Sequence, residues 1–599
     1  MDLRSGRERV LQGADPHRPA PEAGGVQRAQ PAARGDRGPG LRTAGQHRHA
    51  KPAVWLRNRV PVAALCAADR DMGVLTPIEY TRRGLCLAAL AVLPAVAAQP
   101  AGTAPLDADV AAVVQHEHLP GLAMAVVEQG RVIYRHAEGA RGDGGRIDED
   151  TLFKIASNSK AMTAALLARL VQQGRLRWDD PVQRYLPEFR MHDAWVGQQM
   201  QVRDLLIHNS GLGLGAGDLM LWPEPNTFTR ADIIAGLAHL KPVSSFRSHY
   251  AYDNLMYVVA GEVAAAAGGR PYDQLMREQV FEPLGMARCQ VGEWSVKRVG
   301  NVAQPHAWRG DRNEVVNADG VISPDLPSMA AGGIRCSLRD MTRWMQVLLD
   351  PALVPDWLRT EQRRTLWTLH MPMPLGERQR RWDNAHFYGY GYGWRVSDMD
   401  GQWKVAHTGT LSGMYSSLAL LPDRRLGVVM LINGEGEDAR TALMQAMLKR
   451  FTAPDEARPA MAYLAELKAE QATRAATGHQ RPATSDARQA PASDLPRWQG
   501  RYNDPWLGPA SLCPGKDGLR FSVDKSPRLQ ATVLQLQGRW LLRWDTLGDE
   551  AQAWLQPGEG PSPTLDLRAI DPDIDFSYDF QDLHFTRTGD CPGRDSPRR

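Results

Sequence analysis

The run at 151–174, TLFKIASNSKAMTAALLARLVQQG, joins a short apolar segment to a helix-forming one. Met162, Ala165, Leu166 and Leu170 recur at helical spacing and Gly174 is a stop signal, so a helix is expected over 161–173. Ser157 and Lys160 stand near its start, three residues apart and therefore on one face. A helix N-terminus turns free N–H groups toward developing negative charge. A hydroxyl is a poor nucleophile until a neighbour takes its proton, and a partly desolvated lysine one turn away can do so. Ser-x-x-Lys alone is a weak signal. Ser522 and Lys525 repeat it in a region where strand alternation would separate the two side chains.

Short apolar runs at 122–127 and 132–134 lie around Glu128-Gln129-Gly130-Arg131, the pattern of two strands joined by a tight turn. Runs at 414–421 and 426–432 repeat it far downstream, and 438–451 reads as an amphipathic helix. Strands at both ends, with helices between them, predict one sheet closed by chain-distant strands. Two further motifs fall inside this segment. Tyr252-Asp253-Asn254 is the only Tyr-x-Asn among the 14 tyrosines and precedes a helix expected over 255–267. His407-Thr408-Gly409, followed by Thr410, is the only triplet with His or Lys before Thr-Gly, and it lies at a strand edge. The intervals from Ser157 to Tyr252 and from Tyr252 to His407 are 95 and 155 residues.

The 599-residue chain carries 71 Lys+Arg and 68 Asp+Glu, a net +3, which argues against a dedicated nucleic-acid binder. Apolar and charged fractions of 43% and 23% exclude a fibrous, wholly disordered or polytopic membrane protein. The charge is unevenly placed. Residues 1–71 hold 13 Lys+Arg against 7 Asp+Glu and contain no Ile, Phe or Tyr. That segment is expected to be disordered, or not translated at all, with synthesis starting at Met72. Arg82-Arg83 then precede the apolar run 85–98, which ends in Ala95-Val96-Ala97-Ala98. This is the pattern of a signal peptide over 72–98, and the run is too short for a membrane span. The working protein is thus expected to be periplasmic or secreted, with no stable membrane anchor. Dropping 1–71 leaves 58 Lys+Arg against 61 Asp+Glu, a mildly acidic chain.

Cys66 and Cys86 fall in those segments, which leaves Cys289, Cys336, Cys513 and Cys591. Four cysteines allow three connectivities. Cys289–Cys336 with Cys513–Cys591 keeps each bond inside one domain; four unpaired thiols are the alternative. Residues 453–492, dominated by Pro, Ala, Ser and Gln, read as a linker, helical in its first third. Alternating runs at 519–523, 532–537, 565–570 and 576–580 predict a small antiparallel β domain, sandwich or barrel, over 493–588. Residues 589–599 read as a frayed tail.

Together these blocks resemble the serine β-lactamase/penicillin-binding-protein-like hydrolases, nearest the class C and family VIII esterase branch. Thr151-Leu152-Phe153, Leu205-Leu206-Ile207-His208-Asn209-Ser210-Gly211-Leu212, Pro283-Leu284-Gly285-Met286, Ala331-Gly332-Gly333 and Tyr392-Gly393-Trp394 resemble the same family in the same order. The likeness implies an α+β, β-lactamase/transpeptidase-like domain over 105–452, an antiparallel sheet flanked by helices plus a helical subdomain. It implies Ser157 as the acyl-forming nucleophile, Lys160 assisting its deprotonation, and Tyr252 as general base or proton shuttle. The N–H groups of Ser157 and Thr410 would form an oxyanion hole, Asn254 would orient a substrate amide or Lys160, and His407, Thr408 and Gly409 would line the acyl groove. No cofactor and no metal are implied. Gly500-Arg501-Tyr502, Asp504-Pro505-Trp506 and the 575–580 stretch resemble a lipocalin-like C-terminal domain attached to some of these hydrolases, D-aminopeptidase-like members among them.

Each residue has a plainer reading beside this one. Ser157 can be a helix cap, Lys160 a solvated lysine, Tyr252 a packed aromatic, Asn254 a cap and His407 a strand-edge histidine. His208 reads as a structural hydrogen-bonder. Tyr388, Tyr390 and Tyr392 read either as a cleft wall or as a turn with packed aromatics. The triplet begins with His407 where β-lactamases and D-Ala-D-Ala peptidases usually have lysine, and a histidine is mostly neutral at pH 7. The expected function is therefore an exported serine hydrolase acting on an ester or small amide of a small-molecule or short-peptide substrate. A D-aminopeptidase, a D-Ala-D-Ala carboxypeptidase or a β-lactamase is the alternative within that class, and a non-catalytic penicillin-recognising protein the alternative outside it. The oligomeric state stays open.

Overall fold

The computed structural model describes residues 104–478, 482–548 and 551–592, so the expectations for 1–71 and 72–98 lie outside the described residues. Strand β1 (Gly121–Glu128) alternates between two buried environments, Leu122, Met124 and Val126 on one side and Ala123, Ala125 and Val127 on the other. A strand buried on both faces needs cover on both, and that requirement organises the domain. β1 pairs with β2 (Arg131–Gly139) through the tight turn. The other six strands come from the far end of the domain: β3 (Met371–Pro372), β4 (Tyr388–Tyr390), β5 (Arg395–Met399), β6 (Gln402–Leu411), β7 (Met414–Leu421) and β8 (Leu426–Ile432). The order is β2-β1-β8-β7-β6-β5-β4-β3, antiparallel throughout. Arg131 and Arg135 are exposed on the β2 edge, and the opposite edge ends in Pro372.

Helices α1 (Ala104–His116), α2 (Ser159–Gln172), α3 (Leu255–Gly268), α4 (Leu338–Leu349), α5 (Glu437–Thr452) and α6 (Ala460–Thr477) supply most of the cover. α1, α5 and α6 close one face; α4 packs on the other, with α2 and α3 deeper in that layer. α4 shows why it docks. Leu338, Met341, Met345 and Leu348 are buried at helical spacing, and Ser337 caps the start by accepting from Asp340 N at 3.1 Å. Each such fully buried apolar side chain contributes roughly 1.5–3 kcal/mol.

α6 changes the expected organisation. Tyr463, Leu464 and Leu467 are buried against this domain, so the first part of the presumed linker belongs to it. At its other end, Arg488–Gln489 pairs with a barrel strand.

The C-terminal domain is an eight-stranded antiparallel barrel: β9 (Gly500–Asp504), β10 (Gly508–Pro514), β11 (Leu519–Val523), β12 (Ser526–Leu536), β13 (Arg539–Trp544), β14 (Ala553–Gly558), β15 (Thr564–Ala569) and β16 (His584–Gly589). β12 pairs with both β11 and β13, which closes the ring. Period-two burial along β11 puts Leu519, Phe521 and Val523 inside. The expected strand at 576–580 does not form. The Ser577 N–H donates to Asp575 Oδ1 at 2.9 Å, closing a turn, and the segment loops out between β15 and β16. The tail boundary also moves: Gly589 ends β16, and Cys591 is joined to Cys513. Cys289 is joined to Cys336.

The barrel docks on the irregular, helical region around 211–240. Thr227 N donates to Lys525 O at 2.9 Å, Lys525 pairs with Asp232 at 2.6 Å, and Arg528 donates to the Glu224 carbonyl at 3.1 Å. Lys525 thus serves the domain junction, and the second Ser-x-x-Lys carries no paired chemistry.

Candidate active site

Ser157 sits in a 3-10 turn, Ala156–Asn158, immediately before α2 begins at Ser159. The preceding Ala156 has φ +48°, a left-handed conformation that costs a non-glycine residue and persists only when its surroundings hold it. They do. Ile155 N donates to Ile334 O at 3.0 Å, Ser416 Oγ donates to Ile155 O at 2.6 Å, and Asn158 Nδ2 donates to Ser416 Oγ at 2.8 Å. Gly409 on β6 completes the clamp, since a Cβ there would lie 2.2 Å from Ile155 O. Only glycine lets the strand come this close. Thr410 is exposed beside it, its Oγ1 accepting from Arg440 Nη1 at 2.9 Å.

Lys160 is fully buried, and Nζ has three oxygen neighbours: Ser157 Oγ at 3.1 Å, Asn254 Oδ1 at 2.7 Å and Ala331 O at 2.9 Å. Burial pushes its ammonium down to about 7, with Asp218 and Asp253 pulling upward and Arg395 downward. A neutral amine has two hydrogens and one lone pair. Two hydrogens fit Asn254 and Ala331, which leaves the lone pair for the Ser157 hydroxyl.

Asn254 is not the helix cap of α3. Its side chain makes no capping bond, and Asp253 takes that part by accepting from Leu255 N at 3.0 Å and Met256 N at 3.3 Å. Asp253 also accepts from Ser210 Oγ at 3.0 Å, and burial raises its carboxyl to about 6. Tyr252 lies under Lys160 Nζ, 4.8 Å from ring centroid, and its hydroxyl bonds Ser157. Burial holds that phenol well above its ordinary range, so it stays protonated at neutral pH.

His208 packs on Tyr252, ring centroids 4.3 Å apart, and its Nδ1 accepts from Asp253 N at 3.0 Å. It holds the Tyr252 loop in place. His407, 1% exposed, bonds the Tyr390 hydroxyl through Nε2 at 2.7 Å and contacts Thr408 O through Nδ1 at 2.6 Å. Burial, then Arg395, then Lys160 push its pKa well below the ordinary range, so its ring is neutral. It forms an inner wall braced by Tyr390. Tyr392 instead stacks on His370 at 4.1 Å, away from the triplet.

Three participants carry no motif. Arg395, on β5, donates to Thr408 Oγ1 at 2.6 Å and bonds Tyr250; among the described residues the groups that act on it most are the phenols of Tyr388, Tyr250, Tyr252 and Tyr390, not a carboxylate. Strand alternation alone would place it beside Thr408 once the β5–β6 register is known. Asp218, fully buried, accepts from Asn254 Nδ2 at 2.8 Å, and burial raises its carboxyl well above the usual range. Ser577, from the barrel loop, donates to the same Asp218 oxygen at 2.9 Å. Beside it Phe576 meets Tyr252 edge-on at 5.8 Å, and Gly217 N donates to Asp579 at 2.6 Å. Among the described residues, no group of three or more His, Cys, Asp or Glu side chains is placed to hold a metal ion.

An antiparallel sheet carrying a serine–lysine turn at the head of an internal helix defines a serine hydrolase. The Beta-lactamase family model matches residues 106–450, more than half of the chain. The chain belongs to the Beta-lactamase family. It is 25% identical over 371 residues to an unguisins hydrolase of Aspergillus campestris, covering 59% of this chain and 67% of that protein. It is 25% identical over 325 residues to the D-alanyl-D-alanine-carboxypeptidase/endopeptidase AmpH of Escherichia coli K12, covering 52% and 79%. An octameric penicillin-binding protein homologue from Pyrococcus abyssi superposes with a TM-score of 0.52 at 19% identity, over 80% of this chain and 99% of that one, a likeness of fold.

Proposed function

We propose that this hydrolase cleaves an amide or ester bond in a small substrate bearing a carboxylate, forming an acyl-Ser157 intermediate. The observation that carries the reading is Arg395: a guanidinium on the wall beside Thr408, surrounded among the described residues by tyrosine hydroxyls rather than a carboxylate of the protein. A guanidinium is always charged and matches a carboxylate in two parallel bonds. It supplies the fixed charge that His407, buried and neutral, does not. The relative named for D-alanyl-D-alanine-carboxypeptidase activity supports the same substrate class.

Neutral Lys160 accepts the Ser157 proton as Oγ attacks the substrate carbonyl. The N–H groups of Ser157 and Thr410 stabilise the resulting oxyanion, each such donor contributing about 3 kcal/mol. The proton taken up by Lys160 is returned to the leaving group at the Ser157 centre, where the Tyr252 hydroxyl, bonded to Ser157, helps to guide it and stays protonated. Water then attacks the acyl-enzyme with the same groups in reversed roles. Two cysteine pairs suit an oxidising compartment, and with the apolar run at 85–98 they support export.

The test compares a short peptide ending in a free D-alanine carboxylate with its amidated form. Arg395→Ala is expected to raise KM for the free acid about 10- to 100-fold, the worth of a charge-assisted bond, and to leave the amide within twofold. Equal effects on both would remove the carboxylate assignment. Fluorophosphonate labelling lost in Ser157→Ala is expected alongside; a Ser157-independent adduct, or no turnover by the wild type, would leave the non-catalytic reading standing.

A further inference from the structure

We propose that Asp218 and the barrel's Ser577 are positioning residues for Lys160, acting through the amide of Asn254. The hydrogen-bond path runs Ser577 Oγ to Asp218 Oδ2 (2.9 Å), Asn254 Nδ2 to Asp218 Oδ2 (2.8 Å) and Lys160 Nζ to Asn254 Oδ1 (2.7 Å). It therefore begins in one domain and ends at the lysine beside the nucleophile in the other. This inference rests on the serine–lysine reading above and adds to it a part for the second domain.

The reasoning turns on which end of an amide faces which way. A primary amide can present either its oxygen or its NH2, and the choice is set by its neighbours. Asp218 Oδ2 receives two donors, Asn254 Nδ2 and Ser577 Oγ, and is therefore an acceptor in this arrangement. It takes the NH2 end of Asn254, which leaves Oδ1 as the only end that can meet Lys160. With Oδ1 and the Ala331 carbonyl occupying the amine's hydrogens, the lone pair is aimed at Ser157. A reversed Asn254 would present hydrogens to the amine and draw the lone pair away from the serine. Asp218 cannot swing aside, since both it and Asn254 are buried. Ser577 is held at its post by the neighbouring Asp579, buried and bonded to Gly217 N at 2.6 Å.

Charge acts along the same path. Lys160 faces Asp218 and Asp253 as acids, Arg395 as a cation, the neutral rings of His208 and His407, and the phenols of Tyr252 and Tyr257. Asp218 in turn faces Asp253 and, on the barrel loop, Asp579, whose neighbour Asp582 is also raised by burial. Of these, Asp218 pulls the lysine upward most strongly against burial. Burial raises the Asp218 carboxyl as well, so the two groups share their ionisation. Replacing the carboxyl by an amide of the same shape removes that upward pull and is expected to let the lysine lose its proton at lower pH.

The experiment measures kcat, KM and the pH profile of kcat/KM on the full chain with p-nitrophenyl acetate. For wild type, a lysine titrating near 7 gives a ratio of about 10 between pH 8 and pH 6. Asp218→Asn is expected to bring this ratio to about 2, a limb moved about one unit down. Asp218→Ala, which leaves Asn254 free to reverse, is expected to lower kcat at least tenfold with KM within twofold. Ser577→Ala, which removes only a hydroxyl from a half-buried loop residue and keeps the proposal testable if Asp218 variants do not fold, is expected to lower kcat about threefold with KM unchanged. Lys525→Ala, at a docking contact remote from the path, is expected to leave kcat alone and separates loosened docking from lost positioning. An unmoved limb in Asp218→Asn, or wild-type kcat in Asp218→Ala or Ser577→Ala, would overturn the assignment while Ser157-dependent turnover persisted. Failure of the underlying reading shows itself differently, as wild-type turnover that survives Ser157→Ala.

Discussion

The catalytic sheet and the barrel contain eight strands each, but one is open and the other closed, and they serve the site in opposite ways. The open sheet has two faces to cover, so helices from distant parts of the chain pack on it, and the site is assembled where those segments converge. Ile155 is brought against both Gly409 and Ser416, each more than 250 residues further along the chain. The barrel fills its own interior with Phe521, Trp544 and Phe585, and one continuous apolar cluster joins it to the first domain. It reaches the site with a single loop between β15 and β16. A scaffold that assembles a site by convergence is sensitive wherever two backbones touch; one that lends a loop is sensitive mainly in its own core.

Three measurements would break or sharpen that contrast. The largest effect is expected from Phe521→Ala, which empties a fully buried position packed on Trp544 and Phe585. Urea unfolding should show a loss of about 3–5 kcal/mol, with kcat unchanged below the transition. A loss under 1 kcal/mol would mean that the barrel relies on its neighbour for support. Next is Gly409→Ala, whose added carbon meets the Ile155 carbonyl at 2.2 Å and Ser416 Oγ at 2.4 Å. Forcing β6 away from the Ser157 turn should cost about 100-fold in kcat/KM, and near-wild-type turnover would show that the clamp is dispensable. The smallest effect is gradual. On the proposed mechanism Lys160 must be neutral to accept the serine proton, and burial brings it to about 7, so protonation is expected to remove activity as pH falls through that value. The kcat/KM profile should fall about fivefold from pH 7 to pH 6 and approach about tenfold per unit below that; a flat profile from 5 to 7 would exclude Lys160 as the base.

Much of the frame was legible in the amino-acid order because it rests on local rules. The runs at 414–421 and 426–432 match β7 and β8, and Ser157 and Lys160 announce themselves by helical spacing. Register and tertiary approach are not local. Arg395 stands beside Thr408 only because β5 and β6 pair in one register, and Asp218 belongs to an irregular stretch without period. Ser577 was hidden by a misleading signal. Its segment alternates aromatic and polar residues like a strand, yet Asp575 closes a turn, Phe580 stacks on Trp544 inside the barrel and Phe576 turns to Tyr252. One alternation served two destinations.

A closed ring of strands has no unpaired edge, whereas an open sheet always leaves two rows of backbone donors and acceptors facing outward. Here one row ends at Pro372, which has no N–H to offer, and the other is flanked by the exposed guanidinium groups of Arg131 and Arg135. A second molecule arriving as an added strand meets a missing donor on one side and charged side chains on the other. Both edges thus carry a feature that works against the addition of a further strand.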